Sequence, residues 1–376
     1  MRSKSYWLAL EHATGSALRD LLADAVAVRD HYWGTIITHS RNVFIPLTRM
    51  CRNECGYCTF VRRPGNSRAR YLSPEDVLAV ARQGRRQGCR EALFSLGEKP
   101  ELRYPEARAA LAELGYTTTM DYLRDMCASV ARETGLIPHA NPGTMSEDDI
   151  RMLKPVTGSM GMMLENASHR LLEKGMPHYA CPDKDPARRF RTLECAGTLG
   201  VPFTTGLLIG IGETWSERIE SLIAINNMQQ THGHIQEVII QNFRAKPDIP
   251  MAGHPEPPLE DMLRTLAVAR LILDPSISLQ APPNLEEDFG RYIRAGINDW
   301  GGVSPLTKDF INPERDWPQI ARLREVTEQE GGELRERLTI YPRFLQNADR
   351  FVAPEMRPVI EKIARQEDLA EVQYPV

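Results

Sequence analysis

The sequence lacks an excess of charge of either sign: 46 lysines and arginines face 50 aspartates and glutamates over 376 residues, a formal net charge of -4. That balance leaves no broad basic surface of the kind that binds nucleic acid, and no such partner is expected. It also lacks a long apolar run. No stretch approaches the ~20 residues of a membrane span, and residues 1–10 hold only a short patch around Tyr6, Trp7 and Leu8 without a signal-peptide core. Cysteine is scarce and odd in number: of seven, three are clustered and four scattered, so no disulfide framework is expected. A protein of the reducing cytoplasm, without a membrane partner, fits these absences.

What is present is alternation. Residues 16–33 place Leu18, Leu21, Leu22, Ala25 and Val26 at helical spacing, and Gly34 stops the run. Strand-like and helix-like segments then alternate, with strands predicted at 43–47, 91–96, 136–140, 160–164, 201–209, 237–243, 277–281 and 297–303. Helix starts carry their own chemistry: Ser73 with Pro74 and Asp76, Asp185 with Pro186, and Thr214 with Glu217. Helices over 259–273, 286–295 and 317–330 follow the last three strands. Eight such units predict an α/β fold of the closed (β/α)8 TIM-barrel class over 41–331, with a doubly wound open sheet as the alternative. Residues 1–40 form an N-terminal helical extension. Residues 332–376 form a C-terminal appendage packed on the barrel, with segments at 334–344 and 356–365.

The chemistry centres on Cys51-Arg52-Asn53-Glu54-Cys55-Gly56-Tyr57-Cys58, directly after the first predicted strand. Three thiolates bind three irons of a 4Fe-4S cubane and leave the fourth without a protein ligand. Zinc sites usually take four ligands in CxxC pairs, and no second pair exists. Cys89, Cys127 and Cys195 read as structural, as does Cys181, although its loop could approach the site. The nearby Arg62, Arg63, Arg68 and Arg70 are expected to meet a small anionic or polar ligand.

Barrel enzymes carry their chemistry at the C-terminal ends of the strands. There the sequence offers Gly97 and Glu98, His139 and Asn141, and Glu165 and Asn166. It adds Gly210, Gly212 and Glu213, then Gln241, Asn242 and Arg244, then Gln280 and Asn284, and finally Asn298, Asp299 and Trp300. Such a ring of hydrogen-bonding groups suits a polar ligand. Gly210-Ile211-Gly212 lacks the third glycine and the acidic residue of a dinucleotide fingerprint.

The CxxxCxxC spacing, with an aromatic residue before its last cysteine, resembles the cluster motif of radical S-adenosylmethionine enzymes. The resemblance implies a 4Fe-4S cluster on Cys51, Cys55 and Cys58 with S-adenosylmethionine on its open iron. The run 206–213 resembles that superfamily's GxIxGxxE element, and Gly97-Glu98 its GGE element with Leu96 in place of the first glycine. Tyr57, Gly97, Glu98, Glu165, Gly210, Gly212 and Glu213 are accordingly the implied cofactor-binding residues. At finer grain, IPLT leading into CRNECGYCTF, HIQEVIIQNFRAKP, QAPPNL, AGINDWGGVSP and DFINPE resemble the CofG family of deazaflavin synthases. That family resemblance implies radical closure of the 7,8-didemethyl-8-hydroxy-5-deazariboflavin ring system from a uracil-tyrosine adduct. Ammonia, 5'-deoxyadenosine and methionine would be released. A single cluster motif then implies a separate subunit, fed by a CofH-type radical enzyme and reduced by a reductase or a flavodoxin or ferredoxin.

A uracil edge, a phenol and a polyol call for amide, carboxamide and guanidinium partners. Gln241, Asn242, Arg244, Gln280, Asn284, Asn298, Asp299 and Trp300 are the expected substrate shell. His139, Asp183 and His178 are the candidate proton acceptors, with Asp183 and His178, on the long loop after strand four, expected at the surface. The competing readings are a menaquinone-pathway or biotin-synthase-like radical enzyme and, from another class, an iron-sulfur electron carrier or structural metal protein.

Overall fold

Nine parallel strands form one sheet in the computed structural model, which describes residues 2–307, 309, 310 and 312–366. They are β1 (Ile36–Ile45), β2 (Glu91–Ser95), β3 (Ile137–Asn141), β4 (Ser159–Gly161), β5 (Phe203–Ile209), β6 (Ile235–Asn242), β7 (Ser278–Gln280), β8 (Asp299–Val303) and β9 (Glu333–Arg337). Each of β2 to β7 pairs with the next, and β1 pairs with both β2 and β8, so the first eight close on themselves. This is the (β/α)8 barrel; an open sheet would have left two edges. Parallel strands covered by helices are buried on both faces, and every residue of β5 is buried.

The helix-start signals act as written. Ser73 and Asp76, and likewise Thr214 and Glu217, form reciprocal capping boxes. Asp185 caps the helix that Pro186 opens. The leading helix Gly15–Trp33 lies against the barrel, held by Arg29 Nη1 donating to the Ile293 carbonyl at 2.8 Å.

Two departures from expectation have physical causes. First, β1 is ten residues long, whereas β2 starts level with Asn42. The lower half of β1 would present an unpaired edge, which is costly when buried. β9 fills it, pairing Ile36 to Ser40 with Glu333 to Arg337. The segment read as an appendage therefore begins inside the sheet, and residues 338–341 then cross beneath the barrel, where Leu338, Ile340, Tyr341 and Phe344 share an apolar cluster with Ile137. A final helix, Arg357–Gln366, closes that cluster; residues 367–376 of the expected extension lie outside the described residues. Second, the helix expected at 286–295 is a 3-10 segment, Phe289–Ala295. Arg244 holds both the Leu285 carbonyl and the Glu286 carboxylate, where the chain leaves the 3-10 turn Pro283–Leu285 and Glu286 is extended. Among the described residues no helix is long and apolar enough to cross a membrane.

Three of the four buried histidines belong to the strands or their approaches, the fourth being His178 in the loop after β4. Burial lowers His39 in β1 to about 4, His139 in β3 to about 3 and His234, just before β6, to about 3, each from 6.5. As pH falls below 6.5 the unfolded chain takes up protons that the folded chain refuses, so stability present above that pH is lost down to about 4. Three such groups give a slope of roughly 4 kcal/mol per pH unit once the unfolded histidines are charged. The urea midpoint should therefore drop steeply between pH 6.5 and 5; a flat midpoint would contradict the burial.

Candidate functional site

A cavity of about 360 Å³ runs down the barrel axis, with Cys51, Cys55 and Cys58 at its mouth. The loop carrying them is sewn to its neighbour by backbone bonds: Gly97 N to Thr48 O at 2.9 Å and Arg52 N to Glu98 O at 3.0 Å. Gly97 has to be glycine, since a Cβ there would fall on the Met50 carbonyl oxygen. The rim is fixed similarly, with Gly56 N donating to Pro177 O at 2.8 Å and Met251 N to Gly56 O at 3.1 Å.

Beneath the loop lies a network of charges. Arg52 grips Asp183 with two nitrogens, and Asp183 N donates to Asn53 Oδ1 at 3.2 Å. Asn53 Nδ2 also donates to Glu98 Oε2 at 3.0 Å, and Thr144 Oγ1 to Glu98 Oε1 at 2.6 Å. Burial pushes the Glu98 carboxyl up against the pull of Arg189. Burial also pushes on Asp183, but Arg52 outweighs it and holds that carboxyl below its usual range. Asp183 is thus a clamp, and the expectation that it accepts a proton is corrected: its oxygens are taken by a guanidinium. Glu165, at φ 65°, accepts from Lys184 Nζ at 2.5 Å.

His178 is not at the surface; it is 2% exposed and 3.0 Å from the Tyr57 hydroxyl. Cys181 does approach the site, with its sulfur 3.7 Å from that of Cys55. Its hydrogen bond lowers the Cys55 thiol to about 7, while burial, with Cys55 and Glu98 close by, pushes Cys51 up to about 12. All seven cysteines are free. Among the described residues no three His, Cys, Asp or Glu side chains converge on a single-ion site. The three thiols border one cavity.

The other expected residues divide. Tyr57, Gly97, Glu98, His139, Asn141, Glu165, Gln241, Asn242, Arg244 and Gln280 line the cavity. His139 is held by Ser159 Oγ at 2.7 Å from Nδ1. Arg244 is largely engaged, by the Leu285 carbonyl and by Glu256 at 2.7 Å. Asn298, Asp299 and Trp300 are corrections: β8 starts at Asp299, so all three sit at its N-terminal end, away from the mouth. Asn298 accepts from Arg270 at 2.6 Å, Trp300 points outward to Thr327 Oγ1 at 3.0 Å, and Asp299 pairs with Arg337 at 2.5 Å. Asn284 is not itself on the wall, but its Nδ2 donates at 2.9 Å to Asp309, which is.

Gly210, Gly212 and Glu213 also lie off the cavity wall. Glu213 accepts from Gly210 N and Ile211 N at 2.8 Å each and from Arg218 at 2.6 Å, so its carboxylate stabilises the turn itself. None of the four clustered arginines lines the cavity: Arg62 bonds the Thr59 and Val61 carbonyls, Arg63 pairs with Glu54 and Arg70 with Asp76.

Sequence reasoning missed Asn53, Lys184, Arg189, Gln236, Glu237 and Arg337, all on the wall. Gln236 and Glu237 sit in β6 below the strand ends that were read. Arg337 lies on a strand whose alternation, ELRER, was the available signal.

The chain is similar to known proteins in sequence and in fold. Residues 45–224 match the radical SAM superfamily. The chain is 49% identical over 336 residues to the 7,8-didemethyl-8-hydroxy-5-deazariboflavin synthase of Methanopyrus kandleri, which covers 89% of this chain and 100% of that protein. It is 52% identical over 366 residues to the FO synthase of Streptomyces avermitilis, covering 94% of this chain but 42% of that one, so it spans under half the length of such relatives. In fold it resembles methylornithine synthase PylB (TM-score 0.70, 19% identity, 89% of this chain and 94% of that one). The hydrogenase maturase HydG of Carboxydothermus hydrogenoformans is similar too (TM-score 0.72, 17% identity, 99% and 84%).

If Arg52 and Asp183 tie the cysteine loop down, Asp183→Ala should loosen both partners at once. Amide exchange across 51–58 and 181–185 is expected to rise together by at least about tenfold, about 1.4 kcal/mol of local opening. Unchanged exchange in 51–58 would show that the loop stands without the clamp.

Proposed function

The chain belongs to the radical SAM superfamily and, within it, to the family of the 7,8-didemethyl-8-hydroxy-5-deazariboflavin synthases, and from that membership we propose that it closes the deazaflavin ring system. The substrate on this reading is 5-amino-5-(4-hydroxybenzyl)-6-(D-ribitylimino)-5,6-dihydrouracil, and the enzyme is an ammonia-releasing carbon-nitrogen lyase. The observation that carries it is the set of three free thiols at the mouth of one deep barrel cavity with polar groups along its wall.

The residues fit the cofactors that the family implies. Cys51, Cys55 and Cys58 would hold the 4Fe-4S cluster, whose iron charge offsets the cost of ionising buried thiols. S-adenosylmethionine would lie against Tyr57, Gly97, Glu98 and Glu165, while the Gly210–Gly212 turn shapes the backbone above. Bound together, these groups supply hydrogen-atom abstraction. The chain's part is to bind, orient and shield. Glu98, fixed by Asn53 and Thr144, presents a carboxylate at a set place, suited to an ammonium group.

Glu165 offers a second acceptor, restrained by Lys184. Gln241 and Asn242 supply amides for a uracil edge, with Arg244 beside Asn242 to hold it in place. Phe44, Leu208 and Phe243 keep water from the reacting carbons. His139 stays neutral near pH 7, since burial and Arg337 hold it at about 3, so on this reading it exchanges hydrogen bonds with the ligand and stores no proton. The adduct would come from a CofH-type radical enzyme, and the electron from a reductase or a flavodoxin- or ferredoxin-type donor.

Anaerobic reconstitution with iron and sulfide, then incubation with reductant, S-adenosylmethionine and the adduct, should produce deazaflavin fluorescence. Cys51→Ala, Cys55→Ala and Cys58→Ala should each lose bound iron and all product. Full iron with S-adenosylmethionine cleaved and no fluorescent product would reject this substrate and favour another radical reaction.

A further inference from the structure

The cavity is deeper than ring chemistry at its mouth requires. Alternate residues of one strand share a face, and Glu91, Leu93, Ser95 and Gly97 all line it, which carries the wall roughly 20 Å from the cysteine loop toward the bottom of the barrel at ~3.3 Å per residue. Its character changes on the way down. The upper wall has Phe44, Leu208 and Phe243; the lower has Asn42, Glu91, Thr204, Gln236, Glu237 and Arg337. The bottom is sealed by the crossing segment after β9, where Thr339 O accepts from Gln236 Nε2 at 3.1 Å and from Ser159 Oγ at 3.1 Å.

Two features of this lower chamber point to a ligand. Gln236 Oε1 and Gln280 Oε1 are buried acceptors without a hydrogen-bond partner, on residues 1% and 6% exposed. Leaving such atoms unsatisfied forfeits the hydrogen bonds they make in water, so a donor from a ligand would be favoured. The second feature is charge. The Arg337 nitrogens are all engaged: Nε with Asp299 at 2.5 Å, Nη2 with Glu237 at 3.0 Å and Nη1 with the Leu338 carbonyl at 3.1 Å. Glu91 adds a third carboxyl, 2.5 Å from Ser40 Oγ. The chamber therefore presents acceptors and carboxyls, and its cation is already neutralised.

We propose that this lower chamber is a polyol subsite: it takes the ribityl chain of the substrate and selects for a chain whose terminal hydroxyl is unphosphorylated. The inference rests on the deazaflavin reading above. Hydroxyls donate to the two orphaned glutamine oxygens and accept from neighbouring hydroxyl and amide groups. A phosphate dianion would instead meet the Glu91 and Glu237 carboxyls without a free cation. The aromatic part of the ligand is left in the upper half, beside Phe44, Leu208 and Phe243 and nearest the thiols.

The test uses the reconstituted holoenzyme with S-adenosylmethionine and three fluorescent probes. These are the deazaflavin product, its analogue with N10-methyl in place of the ribityl chain, and the product's terminal phosphate ester. The product is expected to bind at least about tenfold more tightly than either of the others. Gln236→Leu should weaken the product about tenfold and leave the N10-methyl analogue unchanged. Equal binding of product and N10-methyl analogue by the unmodified enzyme, or binding of the phosphate ester as tight as that of the product, would overturn the subsite while leaving the deazaflavin reading intact. Binding of none of the three at full iron content would overturn both. The probe comparison needs no variant, so a Gln236→Leu protein that fails to fold does not remove the test.

Discussion

The structure depends on a guanidinium buried in the middle of a barrel. Arg337 is 4% exposed, and ions taken out of water cost several kcal/mol each unless matched by opposite charge and hydrogen bonds. Here the match comes from three directions: Asp299 in β8, Glu237 in β6 and the Leu338 carbonyl just past β9. Tyr341 adds its ring face, 4.2 Å from the guanidinium carbon. The attraction outweighs burial, and Arg337 is held charged well above its ordinary range. One ion thus locks the last strand to the far wall and makes the C-terminal segment a part of the barrel.

The same lock decides how deep the cavity is. Without β9 the lower half of β1 would lack a neighbour on that edge, and the space beneath β6 would open to solvent. With it, residues 337–341 form a floor, and the carboxylates that neutralise Arg337 become the floor's polar lining. The mouth is built on a parallel principle. Arg52 and Asp183 match one another across two loops, and the cysteine loop is held from below by a charge pair as the floor is held by another. Between these two tied ends the wall is mainly side chains of alternate strand residues, whose positions follow from register.

Legibility in the sequence divides along that line. The strands, the capping boxes at Ser73 and Thr214 and the cysteine loop are local features, readable from neighbours a few residues apart. The strand ends bearing Glu98, Glu165 and Gln241 were legible for the same reason, because a strand that is correctly bounded delivers its C-terminal residues to the mouth. Asn298, Asp299 and Trp300 were misread because strand eight begins at Asp299, and an error of direction along one strand moves a residue from mouth to floor. Asp183, Cys181 and His178 could not be placed, since their partners Arg52, Cys55 and Tyr57 lie more than a hundred residues away. Arg337 was hidden in a segment whose pairing with β1 is set by the length of β1 and has no local signature.

Rigidity at both ends has a chemical consequence. A reactive hydrogen-abstracting species attacks whatever lies nearest, so selectivity must come from the position of the ligand, held before reaction begins. The rim cannot easily supply that hold by moving, because Gly56, Pro177 and Met251 are joined backbone to backbone. Pro257 lies over Gly210 so closely that a Cβ there would meet its ring at 2.6 Å. Positioning then falls to the depth of the chamber: a ligand anchored at its polar end against a fixed floor has its other end set at a fixed height below the thiols. The distance between Arg337 and the cysteine loop, maintained by two charge pairs and a closed sheet, is the ruler by which such a ligand would be measured.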